Sequence, residues 1–505
     1  MDVGVIGGGA SAVCLLDALA QSDGVSGSIT IFEPGDELWR GRPFECDVDA
    51  LRVNAPPDEM SVRFGDPEHF QRWLAARDLL VESADSDQDP FCGMRFVPRA
   101  RFGEYLEQSA HAALLSLLEQ GWQLDVVRDR VDSVLPDAHG LVLKTAGGRR
   151  LAVDSAVLCV GGGRPADSYA LRGLPGYLPD PYPVSCNLDV VDADADVDVL
   201  GCGLTGVDVV LALAAGGHRA RIRLLSRSGI LPGVRQRPLA HELHHFTAER
   251  FRTVAARGGT LTVQSLIRIM QDELREVGED LTQISAELVA MAAESPAERL
   301  RRNLAEVDSD SKALRIVQRA VPETGPDVWP LLPAAEKDEL LGSHYREIMS
   351  LCCPMSPSSA ATLLALIDRG QLEILSGIES IDPREGNGFV VTTAGGQHES
   401  DVMINGINPA TNKISPKAES LIASLVAAQL AERHPRGGLH VERETSRLTL
   451  GGKPDPRLYA LGDLAAGSLF FTFGIPSLVD RAQDIACALL SDVSMVRGDS
   501  ALQTV

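Results

Sequence analysis

Two short runs in this chain have the residue types and spacing to hold a pyrophosphate: Gly7-Gly8-Gly9-Ala10-Ser11-Ala12 and Gly201-Cys202-Gly203-Leu204-Thr205-Gly206. In each, the first glycine (Gly7, Gly201) permits a tight turn. The second (Gly9, Gly203) lets the backbone come close to a pyrophosphate, and the small last residue (Ala12, Gly206) lets a helix lie against a strand. The anion would rest on the helix N-terminus, where free N–H groups and the dipole favour negative charge. Thr205, inside the second loop, belongs to the same binding set.

What distinguishes the loops is the residue that meets the ribose. After the first loop the strand Ser28-Ile29-Thr30-Ile31-Phe32 ends in Glu33, a carboxylate placed to accept hydrogen bonds from two ribose hydroxyls. Counting the same distance from Gly201 reaches Arg227, preceded by Ser226, at the end of RIRLLSR. A carboxylate there would repel a 2′-phosphate, whereas an arginine fork binds one bidentately and a serine hydroxyl adds a donor. The first loop therefore suits FAD and the second NADPH. An exposed surface arginine remains the other reading of Arg227.

The elements needed to position these loops are legible. Val3-Gly4-Val5-Ile6 and Asp198-Val199-Leu200 read as buried strands, and apolar helices begin at Val13 and Val207. The halves echo one another further on. Residues 124–160 and 372–405 each give strand, connection, strand, the turn TAGG and a return strand (AVLCV, DVMIN). The second half is longer, and residues about 236–350 supply the excess as amphipathic helices such as ERFRTVAA, LIRIMQDELREV, ISAELVAMAAE and AERLRRNLAEV. That stretch reads as packing or as a substrate lid. Near the end, Leu458-Tyr459-Ala460-Leu461 forms a strand leading into Gly462-Asp463, and a helix starts at about Ile475. The expected fold class is α/β, with two Rossmann-like dinucleotide-binding domains. A discontinuous FAD domain spans 1–190 and 406–505, and an NADPH domain spans 191–405 with the helical insertion.

Composition sets outer limits. With 44% hydrophobic and 23% charged residues the chain is an ordinary globular one. A net charge of −23 argues against nucleic acid or an anionic membrane as partner. No apolar run approaches the roughly 20 residues of a membrane helix. Nine cysteines without CxxC spacing suit a reducing cytoplasm. His241-Glu242-Leu243-His244-His245 satisfies HExxH, two ligands and a base on one helix face. Lying just after the NADPH-type ribose strand, it is read without a metal, either as a helix contacting cofactor or substrate or as a surface helix.

With those residues in place, the chain resembles the two-dinucleotide-fold flavoproteins. Within them it is similar to bacterial FAD/NAD(P)-binding oxidoreductases related to flavin-dependent N-hydroxylating monooxygenases. The resemblance rests on GGGASA, GRPFECDVDALRVNAPPDEMSV, FVPRARFGEYL, SRSGILPGVR and ALGDLAAGSLFFTFGIPSLVDRA, covering most of the chain except the helical middle. It implies extended FAD, NADPH docked over it and hydride transfer to the flavin. It also implies Arg42, Asn54, Met60 and Arg101 near the flavin or its pyrophosphate. Asp463 would lie by the ribityl or pyrophosphate side and the helix start at Ile475 by the flavin ring. Val127 and Gly161 join the cofactor set. Asn54 reads equally as a turn residue before Pro56-Pro57. Asn54 and His244 are the catalytic candidates, and Arg235, Arg237, His241 and His244 could hold a carboxylated substrate.

Departures from the family pattern narrow the chemistry. The early segment holds Cys46 alone, so the redox cysteine pair of a disulfide reductase is missing, and FxGxxxHxxxW of Baeyer–Villiger enzymes is not found. Cys352-Cys353 reads as buried free thiols. The turns after each return strand are degraded to Gly161-Gly162-Gly163 and Gly406-Ile407-Asn408. The expected function is an NADPH-consuming FAD monooxygenase. Through a C4a-(hydro)peroxyflavin it would oxygenate a small nucleophile, with N-hydroxylation of an amino acid or amine favoured. An NADPH-dependent electron-transfer reductase serving a protein or quinone is the alternative, and a non-catalytic flavin-binding module the third. Expected partners are the small substrate and molecular oxygen, with assembly into a homo-oligomer left open.

Overall fold

The computed structural model describes residues 1–22, 25–79, 87–138, 140–163, 165–407 and 416–502, with side chains described as far as residue 491. Asn408 of the second degraded turn lies outside the described residues.

Two parallel sheets carry the two loops. The first is six-stranded, in the order Arg447–Leu450, Lys453–Ala460, Ser155–Leu158, Asp2–Ile6, Ser28–Phe32, Gln123–Val127. Its strands pair in parallel except for the antiparallel edge strand Arg447–Leu450. The sheet is thus assembled from both ends of the chain. The second sheet runs Leu372–Ser376, Ile222–Ser226, Val197–Leu200, Val402–Asn405, Tyr177–Leu178, all parallel. Its last strand lies ahead of residue 191, so the second sheet draws an edge from the chain's first 190 residues. Only two residues long, that strand carries no alternation to betray it.

Strands buried on both faces read as continuous apolar runs, and VGVI and VDVL are two of them. Each leads into its glycine loop and then into an apolar, mostly buried helix, Ala10–Ala20 or Leu204–Ala215. The sequence echo corresponds to two three-stranded antiparallel sheets, Val131–Pro136, Leu141–Thr145, Arg150–Val153 and Ile378–Pro383, Phe389–Thr393, Gly396–Ser400. The TAGG turns join the last two strands of each.

Between Ser226 and Leu372 the chain is largely helical: Ala248–Ala256, Val263–Glu276, Thr282–Ala293, Pro296–Ala305, Ala313–Val328, Ala334–Ser343, Tyr345–Cys352 and Pro357–Asp368. The four amphipathic stretches named above lie in the first four, and a separate apolar cluster around Phe246, Phe251, Leu274 and Ile316 forms the core beneath them. A second cluster, Trp329, Leu332, Cys352, Phe470 and Phe471, ties this layer to the segment before the C-terminal helix. No described helix is long and apolar enough to cross a membrane.

The HExxH run departs from expectation. Residues 241–247 form a loop, not a helix. The reason is Glu273, fully buried, whose carboxylate accepts backbone N–H groups of His244, His245 and Phe246 and the ring of His241 at 2.7 Å. Amides that a helix would turn toward its own carbonyls are taken by this side chain. Burial alone would raise the carboxyl pKa, but the amides of Phe246 and His245, then His241 and His244, hold it down at about 2. Because the folded pKa is depressed, this stability is present above the ordinary carboxylate range and lost as pH falls toward 2. Glu273→Gln is therefore expected to cost about 3 kcal/mol at pH 7 and to raise the pH of acid unfolding. An unchanged acid transition would refute the anchoring role.

Candidate functional site

Both loop helices start without a side-chain cap and without an acidic residue in the first turn, at Gly9 and Gly203. In the insert, four helix starts are capped, Thr247, Thr262, Ser295 and Ser356 each accepting a backbone N–H, and four, at Leu281, Lys312, Pro333 and His344, are not. At the two loops the orphan donors stay open to an anion.

Each loop is closed by contacts that only glycine allows. Gly7 has φ +109°, and a Cβ there would fall 2.4 Å from the Cys159 carbonyl oxygen. Gly201 repeats the arrangement, with φ +106° and the Gly406 carbonyl oxygen 2.8 Å from its notional Cβ. At Gly206 a Cβ would meet the Gly201 oxygen at 2.1 Å, which fixes helix against strand. Ala12 is fully buried in the corresponding place.

Glu33 accepts the Gly8 N–H at 2.9 Å and the Gly35 N–H at 2.7 Å, one on each carboxylate oxygen. Each oxygen keeps a lone pair for a ribose hydroxyl. The Glu33 N–H is held at 3.1 Å by the carbonyl of buried Val127, at the end of the adjoining strand. In the second domain Ser226 is buried and its hydroxyl accepts the Gly229 N–H at 2.8 Å. Arg227, one residue on, is exposed. The serine thus shapes the turn that presents the arginine.

Asp463 closes the first site from the other end of the chain. Its carboxylate accepts the Gly162 N–H, and a Cβ on Gly162 would lie 2.8 Å from that oxygen. Burial raises the Asp463 pKa, with the Gly162 amide opposing it. A Cβ on Gly462, φ +92°, would meet Ser11 Oγ at 3.0 Å and Leu478 at 3.7 Å. The start of the first-loop helix, the Gly-Asp turn and the beginning of the C-terminal helix at Ile475 therefore converge, and these two helices pack along each other. Gly161 lies at the edge of this cluster, its notional Cβ 3.9 Å from Asp463.

Other expected residues have partners inside the protein. Arg42 donates to the Gly163 carbonyl at 2.9 Å, pairs with Asp180 and lies over the Tyr182 ring, 5.2 Å from its centroid. It braces the connection between the two domains. Arg101 pairs with Asp87, a carboxylate shared with Arg52 and Arg95. Met60 is buried in the first domain's core. Asn54 makes a specific hydrogen bond, its amide donating to the Pro354 carbonyl at 3.3 Å, which links the first domain to the insert.

The expected carboxylate-binding group is not a free set of cations. Arg235 pairs with Glu59 at 2.9 Å, Arg237 with Asp308 at 2.5 Å, and His241 with Glu273. His244 is exposed, and its neighbours Glu273 and His241 both belong to the insert. No group of three or more potential metal ligands occurs among the described residues.

Sequence reasoning carried the helical stretch to about residue 350 but did not single out Tyr345 or Arg346, which open the helix Tyr345–Cys352. Tyr345 packs edge-on to Phe470, 6.4 Å between centroids, and Phe470 stacks on Trp329 at 4.5 Å. Its phenol lies near Arg346, Cys353 and Asp463, and burial raises its pKa. Arg346 reaches the second loop, with Nη1 3.6 Å from the notional Cβ of Gly203. Nothing in SHYREIMS marks it, since the residue it approaches is distant in sequence.

The thiols beside the first loop, Cys14 and Cys159, are buried in the core, and burial raises both pKa values far above the ordinary thiol. All nine cysteines are unpaired. Cys352 is a buried free thiol and Cys353 a partly buried one.

Residues 4–163 match a family model described as FAD-NAD(P)-binding. None of the curated proteins matches the chain. Among solved structures, the chain is similar to ornithine hydroxylase PvdA from Pseudomonas aeruginosa at 16% identity, covering 97% of this chain and 99% of that one with a TM-score of 0.58. It is similar to DfoA from Erwinia amylovora, a cadaverine monooxygenase bound to FAD, at 13% identity, 97% and 94% coverage and a TM-score of 0.59. L-lysine 6-monooxygenase from Pseudomonas syringae gives 14% identity, 97% and 99% coverage and a TM-score of 0.54. The fold is that of two-domain FAD/NAD(P)-binding flavoproteins.

Proposed function

We propose that the protein is an FAD-dependent, NADPH-consuming monooxygenase that hydroxylates the nitrogen of a small amine or amino acid. The observation that carries this reading is the opposite chemistry of two equivalent loops, Glu33 at one ribose position and Ser226-Arg227 at the other. The folds it shares belong to proteins named as hydroxylases and monooxygenases of ornithine, cadaverine and lysine. The cradles suit the groups proposed for them: uncapped helix starts for two pyrophosphates, a carboxylate with free lone pairs for a ribose, and an exposed arginine for a 2′-phosphate.

FAD, when bound, accepts hydride from NADPH and activates oxygen; the chain's residues bind, orient and enclose. The N-termini of the two loop helices hold phosphates, and Glu33 fixes the adenosine end of FAD. Asp463, its carboxylate held by the Gly162 N–H, presents a polar group at the turn that closes the first site. The Trp329, Tyr345 and Phe470 cluster, contributed jointly by insert and C-terminal segment, presents an apolar surface near Asp463 that excludes water there. Arg235, Arg237 and His241, the cations expected to hold a substrate carboxylate, are already paired with Glu59, Asp308 and Glu273.

The test is anaerobic reduction of the purified yellow protein by NADPH, followed by oxygen and a panel of amines and amino acids. Hydroxylamine formed in proportion to NADPH consumed is the expected result. Reduced flavin that passes electrons only to an added quinone or protein acceptor would establish the electron-transfer reductase instead.

A further inference from the structure

The Arg346 guanidinium is placed over the turn of the second glycine loop, its Nη1 3.6 Å from where a Cβ on Gly203 would stand. Gly203 is the N-cap of Leu204–Ala215, a helix with no side-chain cap. Burial raises the Cys202 thiol pKa, and a Ser226 hydrogen bond and then the nearby Arg346 charge oppose the rise. Among the described residues no hydrogen bond or ion pair engages this guanidinium. In an acidic chain where Arg235, Arg237, Arg299 and Arg302 all meet carboxylates, a half-buried arginine without one stands out.

Its position separates it from Arg227. Arg227 follows the strand Ile222–Ser226 at the ribose end, whereas Arg346 comes from the insert and faces the phosphate turn itself. Tyr345, the preceding residue, faces Phe470 and Asp463. One helix of the insert therefore reaches the second nucleotide loop through Arg346 and lies near the Gly462-Asp463 turn through Tyr345.

We propose that Arg346 is the pyrophosphate hook of the second dinucleotide site, closing over the anion from the side opposite the helix N-terminus. The nucleotide is then gripped between Rossmann loop and insert, and the insert is part of the binding site for NADPH. This rests on the NADPH reading of the second loop. A charge-assisted fork on a pyrophosphate is stronger than a neutral hydrogen bond, so its loss is expected to weaken binding about tenfold or more.

The experiment is calorimetric titration of the oxidised, FAD-loaded protein with three probes and no turnover. NADP⁺ carries both anionic groups, ADP-ribose only the pyrophosphate, and 2′-AMP only the 2′-phosphate. Arg346→Gln is expected to weaken NADP⁺ and ADP-ribose about tenfold while leaving 2′-AMP unchanged, and retained 2′-AMP binding shows that the domain is folded. Arg227→Gln is expected to weaken NADP⁺ and 2′-AMP while leaving ADP-ribose unchanged. Equal ADP-ribose affinity in wild type and Arg346→Gln would overturn the hook, as would an equal loss of 2′-AMP. A wild-type protein that binds none of the three would instead overturn the NADPH reading on which it rests.

Discussion

Gly7→Ala is expected to give protein without yellow colour and with a lowered melting temperature even as apoprotein. The backbone at Gly7 has φ +109°, a region costly to any residue with a side chain, and the new methyl would lie 2.4 Å from the Cys159 carbonyl oxygen. That oxygen belongs to backbone fixed by the Cys159 N–H bond to Ile6, so it cannot retreat cheaply. Torsional strain and overpacking together cost about 3 kcal/mol, and the displaced loop would lose its hold on a pyrophosphate. Gly9→Ala supplies the contrast. Its notional Cβ meets nothing nearer than Gly41 Cα at 3.4 Å, an ordinary contact, so the apoprotein should melt as wild type. Only the approach of the phosphates is obstructed. The measurements are the flavin-to-protein absorbance ratio and the apoprotein melting temperature. A Gly9→Ala protein that keeps its flavin would refute the assignment of this loop to the pyrophosphate.

The features legible in the sequence were those written in short-range patterns. A buried strand, a glycine turn and an apolar helix are local, and the TAGG hairpins repeat. Gly462-Asp463 could be placed because a strand that follows a second dinucleotide fold has a place in the first sheet, beside Ser155–Leu158. What stayed hidden depended on partners far along the chain. The spacing of His241 and His245 suits a helix face, but Glu273, more than twenty-five residues on, competes for the same amides. The cations expected to hold a substrate carboxylate were chosen by type alone. With 70 acidic residues against 47 basic ones, most arginines meet a carboxylate of the protein first. Arg235 finds Glu59 across the domain boundary and Arg237 finds Asp308. The one that matters for the second loop, Arg346, sits on a helix whose own periodicity only reports its packing.

The second large effect is expected where the two dinucleotide domains are joined. Asp208, on the second-loop helix, is fully buried and lies 2.7 Å from Arg99, at the start of the first domain's helix Arg99–Glu119. Tyr182 donates its hydroxyl to the same carboxylate and accepts from Arg99 at 3.2 Å. Arg99 also donates to the Arg52 carbonyl at 3.2 Å. Burial raises the Asp208 pKa, and Arg99 is the first of the groups that oppose the rise. Arg99→Met removes that opposition and leaves a buried carboxylate unpaired, at a cost of about 3–5 kcal/mol near neutrality. Asp208→Asn keeps an acceptor for both donors but leaves the Arg99 charge without its counter-ion, so it should cost about 2 kcal/mol with no pH dependence from this position. The sign of the pH dependence follows from the raised pKa. Stability linked to the neutral carboxyl is full below the ordinary aspartate range and is lost as pH rises through the folded value. Removing Arg99 pushes that value higher still, so the deficit of Arg99→Met should shrink as the pH is lowered from 8 to 5. Thermal unfolding of both variants across that range decides the matter. Equal losses for the two, or an Arg99→Met deficit that grows on acidification, would show that the pair is not what holds the nucleotide domains together.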